Sequence, residues 1–242
     1  MRPEPKHTFG DSGNSLKPPC AVTAGRPARR RRWARIALWL VLMLAASFAV
    51  PSIRRLVFRA AGWTLVASDP VRPVDAIVLA VDTDGAGVLE AADLVHSGIA
   101  SRVAVFTDTP DTSVEQEFIR RGLLFEGPGA RSVRELKALG ITAVESIPGY
   151  VTGSEDEGPA LAQWCKQQRL RAVVVLTTSD HSRRLPRMLH RSIKGHGTIA
   201  MVRSARYSIF DPDTWWQSRR GIRTEIEEVE KLLLDIVRHP IP

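Results

Sequence analysis

The sequence is poor in residues that hold metals or carry electrons. It has two cysteines, Cys20 and Cys165, and neither lies in a CxxC or a Cys/His pair. Short pairings of that kind mark structural zinc and thiol-redox sites. The histidines at 7, 96, 181, 190, 196 and 239 show no HxxxH or HExxH spacing, so no metal is expected. A GxSxG nucleophile motif is also absent, which argues against a hydrolase of that type. Ser179-Asp180-His181 spells a triad in adjacent letters, but a working triad converges from separated backbone positions. Gly85 and Gly87 give a GxG without the rest of a dinucleotide fingerprint. No cofactor follows from any of these signals.

Charge is present but confined. The chain of 242 residues carries a net charge of +8. Residues 1–35 hold nine Lys and Arg against Glu4 and Asp11, a net of +7. The other 207 residues hold 25 basic and 24 acidic side chains, a net of +1. The part that folds is nearly neutral, so no broad phosphate-binding face and no nucleic-acid partner are expected.

One long apolar run is present. Ile36 to Ile53 is 18 residues without a charge, with Ser47 and Ser52 its most polar letters. As a helix it spans about 27 Å, enough for a bilayer core if Arg35 and Arg54 reach to the interfaces. Trp33 and Trp39 suit an interfacial belt. Seven basic residues from Lys17 to Arg35 precede the run, and Arg54, Arg55 and Arg59 follow it. The positive-inside rule then keeps the N-terminus in the cytoplasm and puts the C-terminal domain outside, as a single-pass protein of the plasma (inner) membrane. The alternative is a cleaved signal peptide with Ser47-Phe48-Ala49 at its cleavage site. The expected layout is a disordered basic tail over 1–32, a membrane helix over 33–53, a linker over 54–72 and a folded domain over 73–242.

Beyond residue 73, apolar β-branched runs alternate with helical patterns. Strands are expected at 74–81, 102–107, 142–147, 171–178 and 198–203, the third nearer an edge and the fourth central. Helices are expected at 87–98, 113–122 and 132–140, then from Ser154, then over His181–Ser192, and finally over Ile222–Val237. Ser132 with Glu135, and Ser154 with Glu157, read as capping boxes. The last helix places Ile222, Ile226, Val229, Leu233, Ile236 and Val237 on one face, which reads as core-facing. Cys165 falls in a helical pattern with Leu161 and Trp164 and reads as a buried core thiol. Such alternation predicts an α/β fold, a Rossmann-like, doubly wound and mainly parallel sheet of about five strands. Ligands of such sheets bind beyond the carboxyl ends of the strands. The chemistry is therefore sought in the loops 82–87, 107–112, 148–157 and 177–184.

Several stretches at these loops resemble the SanA/ElyC/YdcF-like family. "DAIVLAV" at 75–81 is similar to its opening strand, and "EAADLVHSGIASRVAVFT" at 90–107 to its alanine-rich helix and second strand. "GSEDE" at 153–157 is similar to its Asn-Thr-x-Glu-Glu helix start, and "TTSDHSRRL" at 177–185 to its Thr-Ser-x-aromatic-His-x-x-Arg signature. "FDPDTWWQSRRG" at 210–221 and a final helix with Glu228 resemble its closing tryptophan motif and acidic helix. The resemblance implies a Rossmann-like fold, an N-terminal membrane helix and a role in maintaining the bacterial cell envelope, its peptidoglycan or its barrier. The sequence departs from the pattern in its first loop. Ala80 to Gly87 has displaced glycines and no arginine, Asp180 replaces the aromatic, and Gly153 replaces Asn.

The candidate site follows. His181 is the candidate proton-transfer residue, with Asp82 to orient or activate. The resemblance singles out Arg184 to clamp an anion beside a helix start. Thr177, Thr178, Asp84, Gly85, Gly87, Ser154 and Glu157 complete the ligand-binding candidates. Arg183 and Arg187 read as a solvated stripe, Trp215 and Trp216 as packing between the last loop and the sheet, and Glu228 as an arginine's partner. The expected ligand is small and anionic, or lipid-linked and phosphate-bearing. The alternative is a non-catalytic envelope protein that kept the fold and lost the site.

Overall fold

The computed structural model describes residues 32–33, 35–36, 38–40, 42–43, 49–108 and 113–240. The chain divides into two units, 1–50 and 51–242. In the first, the described residues from 32 to 49 are helical and exposed. The basic tail and part of the apolar run Ile36–Ile53 lie outside the described residues. Among the described residues, no helix is long and apolar enough to cross a membrane.

The second unit opens with α1, Pro51–Leu65, in place of the expected linker. Proline is tolerated in a first helical turn, where its missing N–H would be unpaired anyway. Gly62 and Leu65 are buried with Phe58 beside them, and these three turn inward. Trp215 and Trp216 close on this helix, their rings 5.8 and 5.5 Å from that of Phe58. The Trp215 indole donates to the Phe58 carbonyl at 2.8 Å. Arg59 and Trp63 both donate to Asp213, at 2.5 and 2.7 Å. The tryptophans therefore pack on α1 and not on the sheet as expected, because an added helix occupies that side.

Five parallel strands follow: β1 (Ala76–Leu79), β2 (Val103–Asp108), β3 (Val144–Val151), β4 (Ala172–Thr177) and β5 (Ile199–Ser204). Their order is β3-β2-β1-β4-β5. β1 is thus the central strand. β4, expected there from its hydrophobicity, is its neighbour, with Ile77 opposite Val174. Hydrophobicity could not separate the two, since both are covered on both faces. β3 is an edge strand, as its amphipathic pattern predicts.

The helices are α2 (Asp84–His96), α3 (Ser113–Arg120), α4 (Pro128–Ala138), α5 (Ser154–Gln168), α6 (Leu185–Ile193) and α7 (Arg219–Arg238). Alternate strand residues feed two cores, as the period of a strand requires. Ile77, Leu79, Val103, Val105, Val174 and Leu176 pack with Ala91 and Leu94 of α2 and Leu136 of α4. Val78, Ala104, Val173 and Val175 pack with Leu161, Trp164 and Cys165 of α5 and Leu189 of α6. Cys165 is buried as expected, and burial pushes its thiol up to about 12. Moving outward from β1, one direction is wound through α2 and α4 and the other through α5 and α6. The order therefore switches between β1 and β4.

Both expected capping boxes are replaced. α4 starts four residues early, at Pro128 after Gly127, so Ser132 and Glu135 lie inside it. α5 is preceded by Gly153 with no side-chain cap, because Glu157 is drawn into the core instead.

Gly62 is where α1 meets the domain. A Cβ there would lie 2.5 Å from the Pro212 carbonyl oxygen and 2.6 Å from the Trp215 ring. The backbone contact cannot be relieved by a rotamer change. Gly62→Ala is expected to cost about 1–3 kcal/mol, the usual penalty of overpacking. Thermal melting and limited proteolysis around residues 66–70 check this, with α1 released first.

Candidate functional site

The switch between β1 and β4 brings two loops together. After β1 the chain makes a short 3-10 turn, Val81–Thr83, and enters α2 at Asp84. The turn is closed by Thr83, whose hydroxyl donates to the Ala80 carbonyl at 2.6 Å. Gly87 allows the helix to pass that threonine, since a Cβ would meet Thr83 at 2.4 Å. Gly85 has open space around it, so its lack of a side chain is not demanded by packing. Asp84 has φ 45° and ψ −150°, a conformation that suits glycine. The loop after β1 takes a glycine-like turn with an aspartate in it.

Glu157, on the first turn of α5, secures this loop from below. Its carboxylate accepts from the Val81 N–H at 2.6 Å and is 1% exposed. Burial pushes its pKa up, against the opposing pull of the Val81 bond and of the His181 and Arg184 charges. Its other oxygen is buried without a partner.

After β4 the residues from Ser179 to Arg184 form turns, and α6 starts only at Leu185. His181 was expected in the first turn of a helix and instead precedes it. Two features explain the delay. Pro186 sits in the first turn of α6, where its ring is tolerated. Ser182 folds back, donating to the Ser179 carbonyl at 2.8 Å and accepting from the Ala67 N–H at 2.8 Å. Arg183 donates to the carbonyls of Thr64 and Val66, and Arg187 to Asp235 at 2.6 Å. Both were expected to be solvated; Arg183 is exposed and Arg187 is half-buried, and both hold neighbouring segments in place.

His181 is 2% exposed. Its Nδ1 lies 3.2 Å from Glu228 Oε2 and 3.0 Å from an Arg184 guanidinium nitrogen. One nitrogen cannot donate to the carboxylate and accept from the guanidinium at once. The carboxylate decides. Burial opposes ionisation of Glu228, yet hydrogen bonds from His181 and Lys231 and the His181 and Arg184 charges bring it down to about 2. An ionised acceptor holds the proton on Nδ1, and Arg184 meets the same carboxylate through Nε at 3.4 Å. Lys231 donates to the other oxygen at 2.6 Å. His181 Nε2 is buried without a partner.

A cavity of about 590 Å³ opens here. Asp82, Asp84, Gly85, Thr178 and His181, all expected in the site, line it. Ser154 and Arg184 line a neighbouring cavity of about 680 Å³, and Lys231 borders both. Thr177, Gly87 and Glu157 line neither and lie beneath the floor, the Thr177 hydroxyl also without a partner. Arg184 donates to Glu228 and to the Met188 sulfur, and its third nitrogen faces His181 Nδ1. Among the described residues, no group of three or more His, Cys, Asp or Glu is placed to hold a metal ion.

Three contributors were not singled out in the sequence. Asp180 lines the cavity, and burial together with the Glu228 charge pushes its pKa up. The segment from Tyr207 to Gly221 supplies the opposite wall, including Phe210, Trp215 and Arg220. Glu225, one helical turn before Glu228, is 5% exposed with one oxygen unpartnered, and burial lifts it to about 7. The available signal was spacing: Glu225 and Glu228 recur at i, i+3 on α7 and so share a face. Behind the site, Glu90 is fully buried and accepts from Arg203 at 2.7 Å and Arg206 at 2.9 Å. That pairing ties α2 to β5 and the loop after it.

Glu225 gives a pH-dependent prediction. Its folded pKa lies above its unfolded value, so its contribution is full below about pH 4.5 and is lost as pH rises to about 7. Glu225→Gln is expected to raise stability at pH 8 by about 1–3 kcal/mol and to change little at pH 4. Urea denaturation at the two pH values measures this. Asp84 gives another. Its backbone strain is about 1–3 kcal/mol, whereas glycine adds about 0.5–1 kcal/mol of unfolded-state entropy. Asp84→Gly is therefore expected to raise the melting midpoint by differential scanning calorimetry.

No protein-family profile matches the chain, and no curated protein matches it. Solved structures that align with part of the chain include two. One is the guanylylpyridinol- and ATP-bound HcgE from Methanothermobacter marburgensis, with 16% identity and a TM-score of 0.30. The match covers 55% of this chain and 62% of that one. The other is an aureusimine biosynthetic cluster reductase domain, with 9% identity and a TM-score of 0.24 over 51% of this chain and 40% of that one.

Proposed function

We propose that the chain is a membrane-anchored protein of the bacterial cell envelope, similar to the SanA/ElyC/YdcF-like group, whose α/β domain transfers a proton at His181 on a bound ligand. One observation carries the chemistry: a buried imidazole with Nδ1 on an ionised carboxylate and Nε2 unpartnered, lining the cavity beyond β1 and β4. Nε2 takes a proton from a hydroxyl or a water in the cavity. Glu228 stabilises the imidazolium that results, and Asp82 is placed to orient the reacting group.

Charge narrows the ligand. The described lining of the His181 cavity holds Asp82, Asp84, Asp180, Asp211 and Glu228 against Arg220 and Lys231. The neighbouring cavity holds Arg184, Arg191, Lys231 and Arg238 against Glu155, Asp156 and Asp235, a lining that is mixed but less acidic. A ligand with a neutral, hydroxyl-bearing end at His181 and a phosphate or carboxylate beyond Lys231 fits that division. The single-pass anchor, with the domain outside the membrane, rests on the uncharged run Ile36–Ile53 and the basic residues before it.

A second reading, a fold retained with its site lost, draws on Arg184. The guanidinium expected to clamp an anion is already engaged by Glu228 and Met188. Thermal melting with inorganic phosphate and sugar phosphates separates the two, because a ligand of the folded state raises the midpoint. The decisive experiment is His181→Gln in the native host at matched abundance. Loss of a general base costs about 10²–10⁴-fold in rate, so its tolerance of envelope-acting antibiotics is expected to match that of the deletion. Wild-type tolerance would overturn the proposal.

A further inference from the structure

α7 is built inside out. Its buried residues are Gly221, Glu225 and Glu228, while Ile222, Ile226, Leu233 and Val237 are 41–77% exposed. A helix flanked by water does the reverse. The apolar stripe was expected in the core, but the ion pairs of Glu228 and Asp235 turn the polar stripe inward instead.

α1 also leaves apolar residues exposed, although its inner side is apolar as well. Its inner side is Phe58, Gly62 and Leu65, whereas Ile53, Leu56 and Val57 are 40–68% exposed. These three lie at i, i+3 and i+4, and Ala60 and Ala61 continue the stripe. The two stripes meet. Ala61 of α1 and Ile226, Val229, Leu233, Leu234 and Val237 of α7 line one mainly apolar depression of about 610 Å³, with Glu225 and Glu230 also in its lining. A contiguous apolar face on two packed helices marks an interaction surface.

We infer that this face docks the domain on the lipid surface of the membrane, its apolar side chains entering the headgroup–acyl boundary. Two observations choose lipid as the occupant. In sequence, the face follows the 18-residue uncharged run at once, because α1 begins at Pro51 inside it. α1 also carries Arg54 and Arg55, besides Arg59 on Asp213, and no acidic residue. Arg54 and Arg55 are exposed at its start. A second copy on the same face would set like charges against each other, whereas anionic headgroups neutralise them. Leu234 borders both the depression and the Arg184 cavity, and Lys231 links that cavity to His181. A docked domain would present this chain of cavities to a ligand that keeps its apolar part in the bilayer. The inference takes the anchor of the proposed function as its starting point, but docking and anchoring are separable.

The test uses the full chain with Cys20→Ser, reconstituted into phosphatidylcholine–phosphatidylglycerol vesicles. One cysteine is introduced at a time, as Ile226→Cys, Leu233→Cys or, as a control on α5, Gln168→Cys, and labelled with an environment-sensitive fluorophore. Buried Cys165 is left in place. Nitroxide-bearing lipids are expected to quench the label at 226 and 233 severalfold more than at 168. Equal quenching at all three positions overturns the docking. So does quenching at 226 that gives way to cross-linking between copies as protein density rises, which assigns the face to a second copy. An alkaline carbonate wash reports on the anchor alone. Protein that resists the wash without selective quenching keeps the anchor and loses the docking. Protein that is quenched selectively yet washed away loses the anchor and keeps the docking. Failure to bind the vesicles at all overturns both.

Discussion

The buried carboxylate of Glu228 is the interaction on which the rest of the site depends. Taking a charge out of water is costly unless it is paired and hydrogen-bonded. Glu228 is answered by His181, Arg184 and Lys231, and it is these partners that keep it ionised. The same bonds fix the imidazole, carry the Arg184 side chain inward and hold α7 against the loop after β4. Removing the carboxylate would leave two buried donors facing one another.

A second buried carboxylate works in the opposite sense. Glu157 fastens the loop after β1 through the Val81 N–H, and burial favours its neutral form. His181 thus stands between a glutamate biased toward protonation and one held ionised. Environments that push two similar groups apart in pKa are how acid and base roles become distinct. Both glutamates act across the fold: Glu157 lies 76 residues from Val81, and Glu228 lies 47 from His181.

Much of the fold was legible in the sequence. The β-branched runs around Ile77, Val105 and Val174 could only be strands buried on both faces, and their alternation with helical patterns left a doubly wound sheet as the economical arrangement. Part of the cavity lining was legible too, since Asp82, Asp84, Thr178 and His181 follow strands at their carboxyl ends. The capping boxes were misleading. Ser154 with Glu157 has the right letters and spacing, but a backbone N–H distant in sequence competes for the carboxylate and wins. The stripe on α7 misled for a related reason. Periodicity reports which residues share a face and says nothing of which medium the face meets.

The sequence by itself therefore determined the local terms: which segments are strands or helices, where charge is concentrated, and which loops lie at the strand ends. These depend on interactions among near neighbours. Tertiary structure decided that β1 is central, that α1 belongs to the domain, that His181 sits in a turn against Glu228, and that α7 turns its acids inward. Each of those outcomes balances desolvation of a charge against partners supplied from distant parts of the chain. No short window of sequence contains both sides of that balance.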